Sequence, residues 1–171
     1  MNNSNKKFNS KVIHSGHGSD EITGAVMPPI HLSSTFKQKS PGDFKYEYAR
    51  TGNPTRDVLE KLLYEIEDGK FGFAFSSGMA AISALSDALG NNYSILSSDD
   101  VYGGTRRIFD KIKSVNQNVE VTYADLSKDN NWQGHITENT KMIWVETPSN
   151  PLLKLIDIEK IRKSLNNQEI I

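Results

Sequence analysis

Phe71-Gly72-Phe73-Ala74-Phe75-Ser76-Ser77-Gly78-Met79-Ala80-Ala81 is the stretch that decides the fold of this chain. An apolar run stops at Ser-Ser-Gly and resumes as a small-residue helical pattern. The spacing predicts a buried strand over 71–75, a tight turn, and a helix over 79–89. The first turn of such a helix carries unpaired N–H groups and the positive end of the helix dipole. It can therefore hold a phosphate without a basic side chain. Taken alone, the segment fits an ordinary glycine crossover better than a phosphate site.

Downstream, strands and helices alternate. Strands are expected over 93–96, 119–123 and 141–146, the last reading Lys-Met-Ile-Trp-Val-Glu. A helix over 105–115 puts Ile108, Phe109, Ile112 and Val115 on one face, and another covers 156–165. This order predicts an α/β fold, a mostly parallel sheet with helices on both faces. Glu169-Ile170-Ile171 reads as the first residues of a further buried strand, which leaves a parallel sheet unfinished. Asn91-Asn92, Asn130-Asn131 and Asn166-Asn167 read as turns.

Upstream, Asn53-Pro54-Thr55 signals a helix start. Val58, Leu59, Leu62, Leu63 and Ile66 follow as an apolar stripe that stops at Asp68-Gly69. Residues 1–10 are polar and read as a mobile arm. Residues 11–44 have little periodicity and are punctuated by glycine and proline, so they read as an extended segment lying over another surface. The expected division is an extended arm over 1–54 and an α/β domain over 55–171.

The chain of 171 residues has 20 basic and 21 acidic side chains, a formal net charge of −1, and no long basic run. Neither nucleic acid nor a membrane surface is favoured as a partner. No apolar stretch is long enough to span a bilayer. The chain has no cysteine, so it has no disulfide, thiolate zinc site or thiol nucleophile. His14, His17, His31 and His135 lack metal-ligand spacing. A cytoplasmic address is the default expectation.

Three more segments carry chemistry: Tyr48-Ala49-Arg50-Thr51-Gly52-Asn53-Pro54-Thr55, Asp99-Asp100-Val101-Tyr102-Gly103-Gly104-Thr105, and Glu146-Thr147-Pro148-Ser149-Asn150-Pro151. The last two, like Ser76–Met79, follow predicted strands, and open α/β sheets bind ligands at the carboxyl ends of their strands. In this order, the four segments resemble the Cys/Met-metabolism family of pyridoxal-phosphate (PLP) enzymes, over residues 11–171. That family includes cystathionine γ-lyase, γ-synthase, β-lyase and methionine γ-lyase.

The resemblance implies the front part of a fold type I (aspartate-aminotransferase-like) large domain, with pyridoxal 5'-phosphate as cofactor. It implies a phosphate cup formed by Ser77, Gly78 and Met79, and a Tyr102 ring stacked on the cofactor and active in proton movement. Asn150 would bond the cofactor's ring hydroxyl oxygen. Tyr48 and Arg50 would reach across a dimer interface to the partner's cofactor phosphate, in a dimer of dimers. Arg107 matches an arginine near the amino-acid substrate, and reads equally well as a solvated surface charge. Glu47 matches an acidic residue facing the substrate's far end; as a plain surface glutamate it is nearly as well explained. Arg50 and Tyr102 would also touch substrate. Glu146 reads as a structural residue orienting the Asn150 loop.

The family's cofactor-binding lysine lies in a Ser-x-Thr-Lys segment and its ring-pairing aspartate in an Asp-Asn-Thr-like segment. Neither occurs in this sequence. The expectation is the N-terminal portion of a trans-sulfuration enzyme, inactive in isolation. Val26–Ile30, Phe36–Gly42 and the Glu47/Arg107 pair resemble γ-lyases most, with γ-synthase as the alternative. Gly104 stands where methionine γ-lyases usually carry cysteine. A non-catalytic remnant, or one half of a split protein, is the reading from another class.

Overall fold

Ser94–Ser98 (β1) is buried along its whole length, because both faces of the strand are covered and both edges are paired. It lies between Glu120–Ala124 (β2) and Thr140–Trp144 (β3), and both pairings are parallel. Successive side chains of a strand point to opposite faces, and the two apolar clusters follow that alternation. Ile95 and Met142 pack with Tyr93, Ile108, Phe109 and Val119 on one face. Leu96 packs with Leu126, Trp132, Ile156 and Ile161 on the other. The computed structural model describes residues 7–128, 132–165 and 169–171. The turns expected at Asn130-Asn131 and Asn166-Asn167, and residues 1–6 of the arm, lie outside the described residues.

The chain divides into two compact units, Met1–Phe75 and Ser76–Ile171. In the second, Gly78–Ala88 (α3) opens on the N-cap Ser77, whose hydroxyl accepts the Ala80 N–H at 3.1 Å. Ile158–Ser164 (α6) opens likewise on Asp157, which accepts the Lys160 N–H at 2.9 Å. Beyond it, Ile171 bridges β3. Its N–H donates to the Lys141 carbonyl at 3.0 Å, and its carbonyl accepts the Ile143 N–H at 2.8 Å. The reading of 169–171 as the start of a further strand agrees with this pairing.

The helix expected over 105–115 departs from its pattern. Gly103–Ile108 (α4) runs into a π-helical turn, Phe109–Lys113, and continues as Ser114–Gln117 (α5). Ile108 and Phe109 are buried as expected, but Ile112 and Val115 are exposed, and Lys113 is turned inward. The wider π turn rotates the later positions away from the stripe that a regular period draws. Lys113 Nζ then donates to Asp87 Oδ1 at 2.5 Å, and Gln117 Nε2 donates to the same oxygen at 2.8 Å. Before the turn, Arg106 lies 4.1 Å over the Tyr123 ring on β2, and the Tyr123 hydroxyl donates to Asp110 at 2.7 Å.

The first unit is built on Pro54–Ile66 (α2). Asn53 caps it, accepting the Thr55 N–H at 2.8 Å, and Asp68 and Gly69 follow its end as the sequence indicates. Phe8–His14 forms a helix (α1), so the mobile-arm reading does not hold for Phe8–Ser10. Two contacts explain this: Lys11 pairs with Asp68 at 2.6 Å, and the Gly16 N–H donates to Glu65 at 3.1 Å. Gly16 has φ +81, and a Cβ there would lie 2.6 Å from the Val58 carbonyl oxygen of α2. Glycine is required on both counts.

The predicted strand over 71–75 is not a strand. Phe71, Phe73 and Phe75 are exposed, not core. Extended backbone becomes a strand only with a neighbour to take its N–H and C=O groups. Among the described residues the segment has no strand partner, and Ala74 donates instead to the Glu60 carboxylate at 2.9 Å.

Candidate functional site

In the second unit, the turn Asp99–Gly103 follows β1, and the loop Thr147–Leu153 follows β3. Parallel neighbours end on the same side, so both lie at the carboxyl edge of the sheet. Tyr102 is the N-cap of α4, with its ring half exposed. That ring lies over Gly104: a Cβ at Gly104 would overlap it and would stand 2.8 Å from Met79 Sδ. The start of α3 therefore meets the Tyr102 turn directly.

At that start, the Gly78 and Met79 N–H groups have no partner among the described residues. Ser77 Oγ is committed to the Ala80 N–H, so its hydroxyl serves first as the helix cap. A Cβ would meet nothing within 4 Å at Gly78 or at Gly103, and neither has positive φ. Packing and backbone conformation within the described residues leave room for a side chain at both positions. Such open backbone beside unpaired donors and an exposed aromatic face suits a flat ligand carrying a phosphate.

The Asn150 loop is fixed to the Tyr102 segment by Asp100. Its Oδ2 accepts the Ser149 hydroxyl at 2.5 Å and the Leu152 N–H at 2.9 Å. Lys154 adds an ionic clamp, with its ammonium 2.9 Å from Asp99 and 3.1 Å from Asp125. Asp125 is held below the usual carboxylate range, first by the Ser127 hydroxyl and then by Lys128 and Lys154. The Lys154 ammonium is held above its ordinary value, chiefly by Asp99. Asn150 itself is exposed, and its amide has no partner among the described residues.

Glu146 orients the Tyr102 turn, not the Asn150 loop as the sequence suggested. One carboxylate oxygen accepts the Tyr102 backbone N–H at 2.7 Å; the other accepts Thr105 Oγ1 at 2.7 Å and Trp144 Nε1 at 3.1 Å. Arg107 lies on α4 and is exposed, and no ionic partner fixes it among the described residues.

Glu47, Tyr48 and Arg50 belong to the first unit. A short antiparallel bridge, Thr35 to Tyr48, holds their strip: Phe36 N–H donates to the Glu47 carbonyl at 3.0 Å, and Ala49 N–H to the Ser34 carbonyl at 2.9 Å. The Arg50 guanidinium sits 5.2 Å over the Tyr48 ring. Arg56 braces the strip from α2, donating to the Ala49 and Thr51 carbonyls at 3.0 and 3.2 Å. The exposed Glu47 side chain is held by none of these contacts.

Residues 9–171 match the family model described as Cys/Met metabolism PLP-dependent enzyme. The chain belongs to that family. Its cofactor is pyridoxal 5'-phosphate, and the unpaired α3 donors beside the exposed Tyr102 face have the chemistry to suit a phosphate and a flat ring. A cystathionine beta-lyase of Coxiella burnetii (strain RSA 493 / Nine Mile phase I) is 42% identical over 172 residues, which cover 99% of this chain and 44% of that protein. A cystathionine gamma-lyase of Dictyostelium discoideum is 41% identical, over 92% of this chain and 41% of its own length. Among solved structures, metB from Corynebacterium glutamicum superposes with a TM-score of 0.92 at 38% identity, covering 99% of this chain and 45% of that one. Cystathionine gamma-lyase from Lactobacillus plantarum, complexed with L-serine, gives 0.90 at 40% identity, over 97% and 43%. The chain spans less than half the length of these relatives, and its sheet is a part of the fold type I large domain.

Four residues that act on the site were not read from the sequence as a set: Asp100, Ser149, Lys154 and Glu146. The available signal was their placement. Asp99-Asp100 ends one strand, and Ser149 and Lys154 follow its parallel neighbour, so opposite charges and a hydroxyl were set side by side.

Proposed function

We propose that this chain is the phosphate- and ring-holding part of a trans-sulfuration lyase of the cystathionine γ-lyase type, which releases cysteine, 2-oxobutanoate and ammonia from cystathionine. The observation that carries the reading is the meeting of the Tyr102 ring, Gly104 and Met79 beside the unpaired N–H groups of Gly78 and Met79. Relatives bearing β-lyase and γ-lyase names match this chain about equally, so the γ-lyase choice rests on the Glu47/Arg107 pair and the arm segments. The γ-synthase is the alternative within the family.

PLP, when bound, supplies an electron-withdrawing ring in conjugation with the substrate's α-carbon. The chain's own residues do the rest. Gly78 and Met79 N–H groups and the α3 dipole bind the phosphate, with Ser77 holding the turn that presents them. The Tyr102 ring covers one face of the cofactor ring, and its phenol moves a proton at the substrate. Asn150 donates to the ring hydroxyl oxygen. Tyr48 and Arg50 serve a second copy's phosphate, where a guanidinium fork suits phosphate oxygens. Glu47 and Arg107 face the amino-acid substrate. A dimer-of-dimers assembly and a cytoplasmic setting go with this reading.

The 171-residue chain alone is expected to be inactive, since no lysine in it follows the Ser-x-Thr pattern. The test is to incubate the chain with PLP, reduce with borohydride, and map modified lysines by mass spectrometry. Weak binding competed by inorganic phosphate, with no dominant labelled lysine, is the expected result. One lysine labelled stoichiometrically, together with hydrogen sulfide or keto-acid release from cysteine or cystathionine, overturns the inactivity. No phosphate-competed binding at all overturns the cup.

A further inference from the structure

We infer that Glu146 is a positioning residue that fixes the Tyr102 ring against Gly104; its relevance to catalysis rests on the function proposed above. A helix commonly closes its first turn with an N-cap side chain, and often with an acid at the third helical position that reaches back to the N-cap N–H. Here the N-cap is Tyr102, which makes no side-chain cap, and the third helical residue is Thr105. The missing acid comes from the end of a different strand. Glu146 accepts the Tyr102 N–H and the Thr105 hydroxyl, each at 2.7 Å, and so spans the N-cap and the third position from outside the helix.

That exchange has a consequence for the ring. With a local cap, α4 could pivot with its own turn intact. With Glu146 as cap, the backbone at Tyr102 is tied to the end of β3, whose last residue, Trp144, donates its indole N–H to the same carboxylate at 3.1 Å. Trp144 is itself set edge-on against the buried Phe109, with ring centroids 5.6 Å apart. Thr105 is fully buried, so its hydroxyl has no access to water as a substitute partner. The exposed phenol is thus referred to the core through one carboxylate. On the other side, the missing side chain of Gly104 leaves space for the ring to lie against the backbone.

A carboxamide in place of the carboxylate cannot reproduce this. Turned one way, Glu146→Gln points its NH2 at the Tyr102 N–H; turned the other way, at the Trp144 N–H. Either orientation sets donor against donor. The double variant Glu146→Gln with Trp144→Phe removes the second conflict, so the amide oxygen can return to the Tyr102 N–H while its NH2 donates to Thr105.

The experiment is NMR of the isotope-labelled chain, reading Tyr102 amide exchange and the contact between its ring and Gly104. In Glu146→Gln the Tyr102 N–H should exchange roughly tenfold faster, as expected for one lost charge-assisted bond, and the ring contact should weaken. The double variant should recover most of the protection. Should Glu146→Gln not fold, Thr105→Val supplies the same readout with a few-fold effect, since the Tyr102 bond stays but its anchor loosens. Tyr102 protection and ring contact unchanged in these variants overturn the inference. A parallel PLP titration keeps the two readings apart. If the wild-type chain gives no phosphate-competed response, the proposed function fails while the ring readout still decides the role of Glu146.

Discussion

The Ser149 hydroxyl donates to the Asp100 carboxylate, which also receives the Leu152 N–H at 2.9 Å. One acid thus closes the loop that follows β3 from the turn that follows β1. Ser149 is buried, and its oxygen already accepts the Lys154 N–H at 2.8 Å, so without Asp100 its hydroxyl proton has no ready acceptor. Asp100→Ala should therefore lower stability by about 1–3 kcal/mol and loosen the Asn150 loop. Urea unfolding checks the first outcome; loss of amide protection at Leu152 checks the second.

Gly78→Ala separates stability from binding. The position is the first residue of α3, has no positive φ, and leaves open space for a Cβ. Alanine should leave stability equal or raise it by up to about 1 kcal/mol, read as an unchanged or slightly higher melting temperature. PLP affinity should fall, because a methyl group would stand where the proposed phosphate meets the N–H. Equal affinity in both forms would remove the phosphate from this turn.

At Gly104 the sign reverses. A methyl group there overlaps the Tyr102 ring and crowds Met79 Sδ at 2.8 Å. The ring is half exposed and can swing outward, so Gly104→Ala should cost little stability and displace the phenol. Tyrosine fluorescence quenching by added iodide should rise relative to wild type.

Lys154→Met removes the cation between Asp99 and Asp125. Asp125 has its pKa lowered in the fold, so its contribution is present above the ordinary value of 3.8 and is lost as pH falls through the folded value. Lys154 is raised, so its contribution is present below the ordinary 10.5 and is lost as pH rises through the folded value. The stability gap between wild type and variant should be widest between these limits. It should narrow as the pH drops below 3.8, measured by urea midpoints along an acid series.

Tyr46 donates to Asp57 at 2.7 Å, and burial first, then that carboxylate, pushes its phenol up to about 12. Below the ordinary 10.0 the phenol is protonated whether folded or unfolded. As pH rises from there to about 12, only the unfolded chain ionises, and stability is lost across that window. Tyr46→Phe should cost about 1 kcal/mol at neutral pH and titrate one late phenol fewer by tyrosinate absorbance.

Where contacts are local, the sequence was readable. Asn53-Pro54 sets its own helix start within three residues, and the alternation of Ile95 and Leu96 sends side chains to two faces regardless of context. Phe71, Phe73 and Phe75 show the limit of that reasoning. Alternation gives the faces of an extended segment, but a strand needs a neighbour, and no local pattern supplies one. Glu146 shows another limit: its partners lie 44 and 41 residues away, and only the β1–β3 pairing brings them to it. The roles proposed for Tyr48 and Arg50 call for a second chain, which no single-chain pattern contains.

The π turn at Phe109–Lys113 makes the length of this segment non-negotiable. Arg106 before it and Asp110 near its start serve Tyr123 of β2; Lys113 at its end and Gln117 beyond it serve Asp87 of α3. Deleting a single residue there would restore an ordinary helical period and turn everything downstream by roughly 100°. Lys113 would swing away from Asp87, and Asn118 from its 2.9 Å bond to Asn92. Substitutions that keep the count are absorbed locally, whereas a one-codon deletion in these five positions would uncouple two neighbours at once.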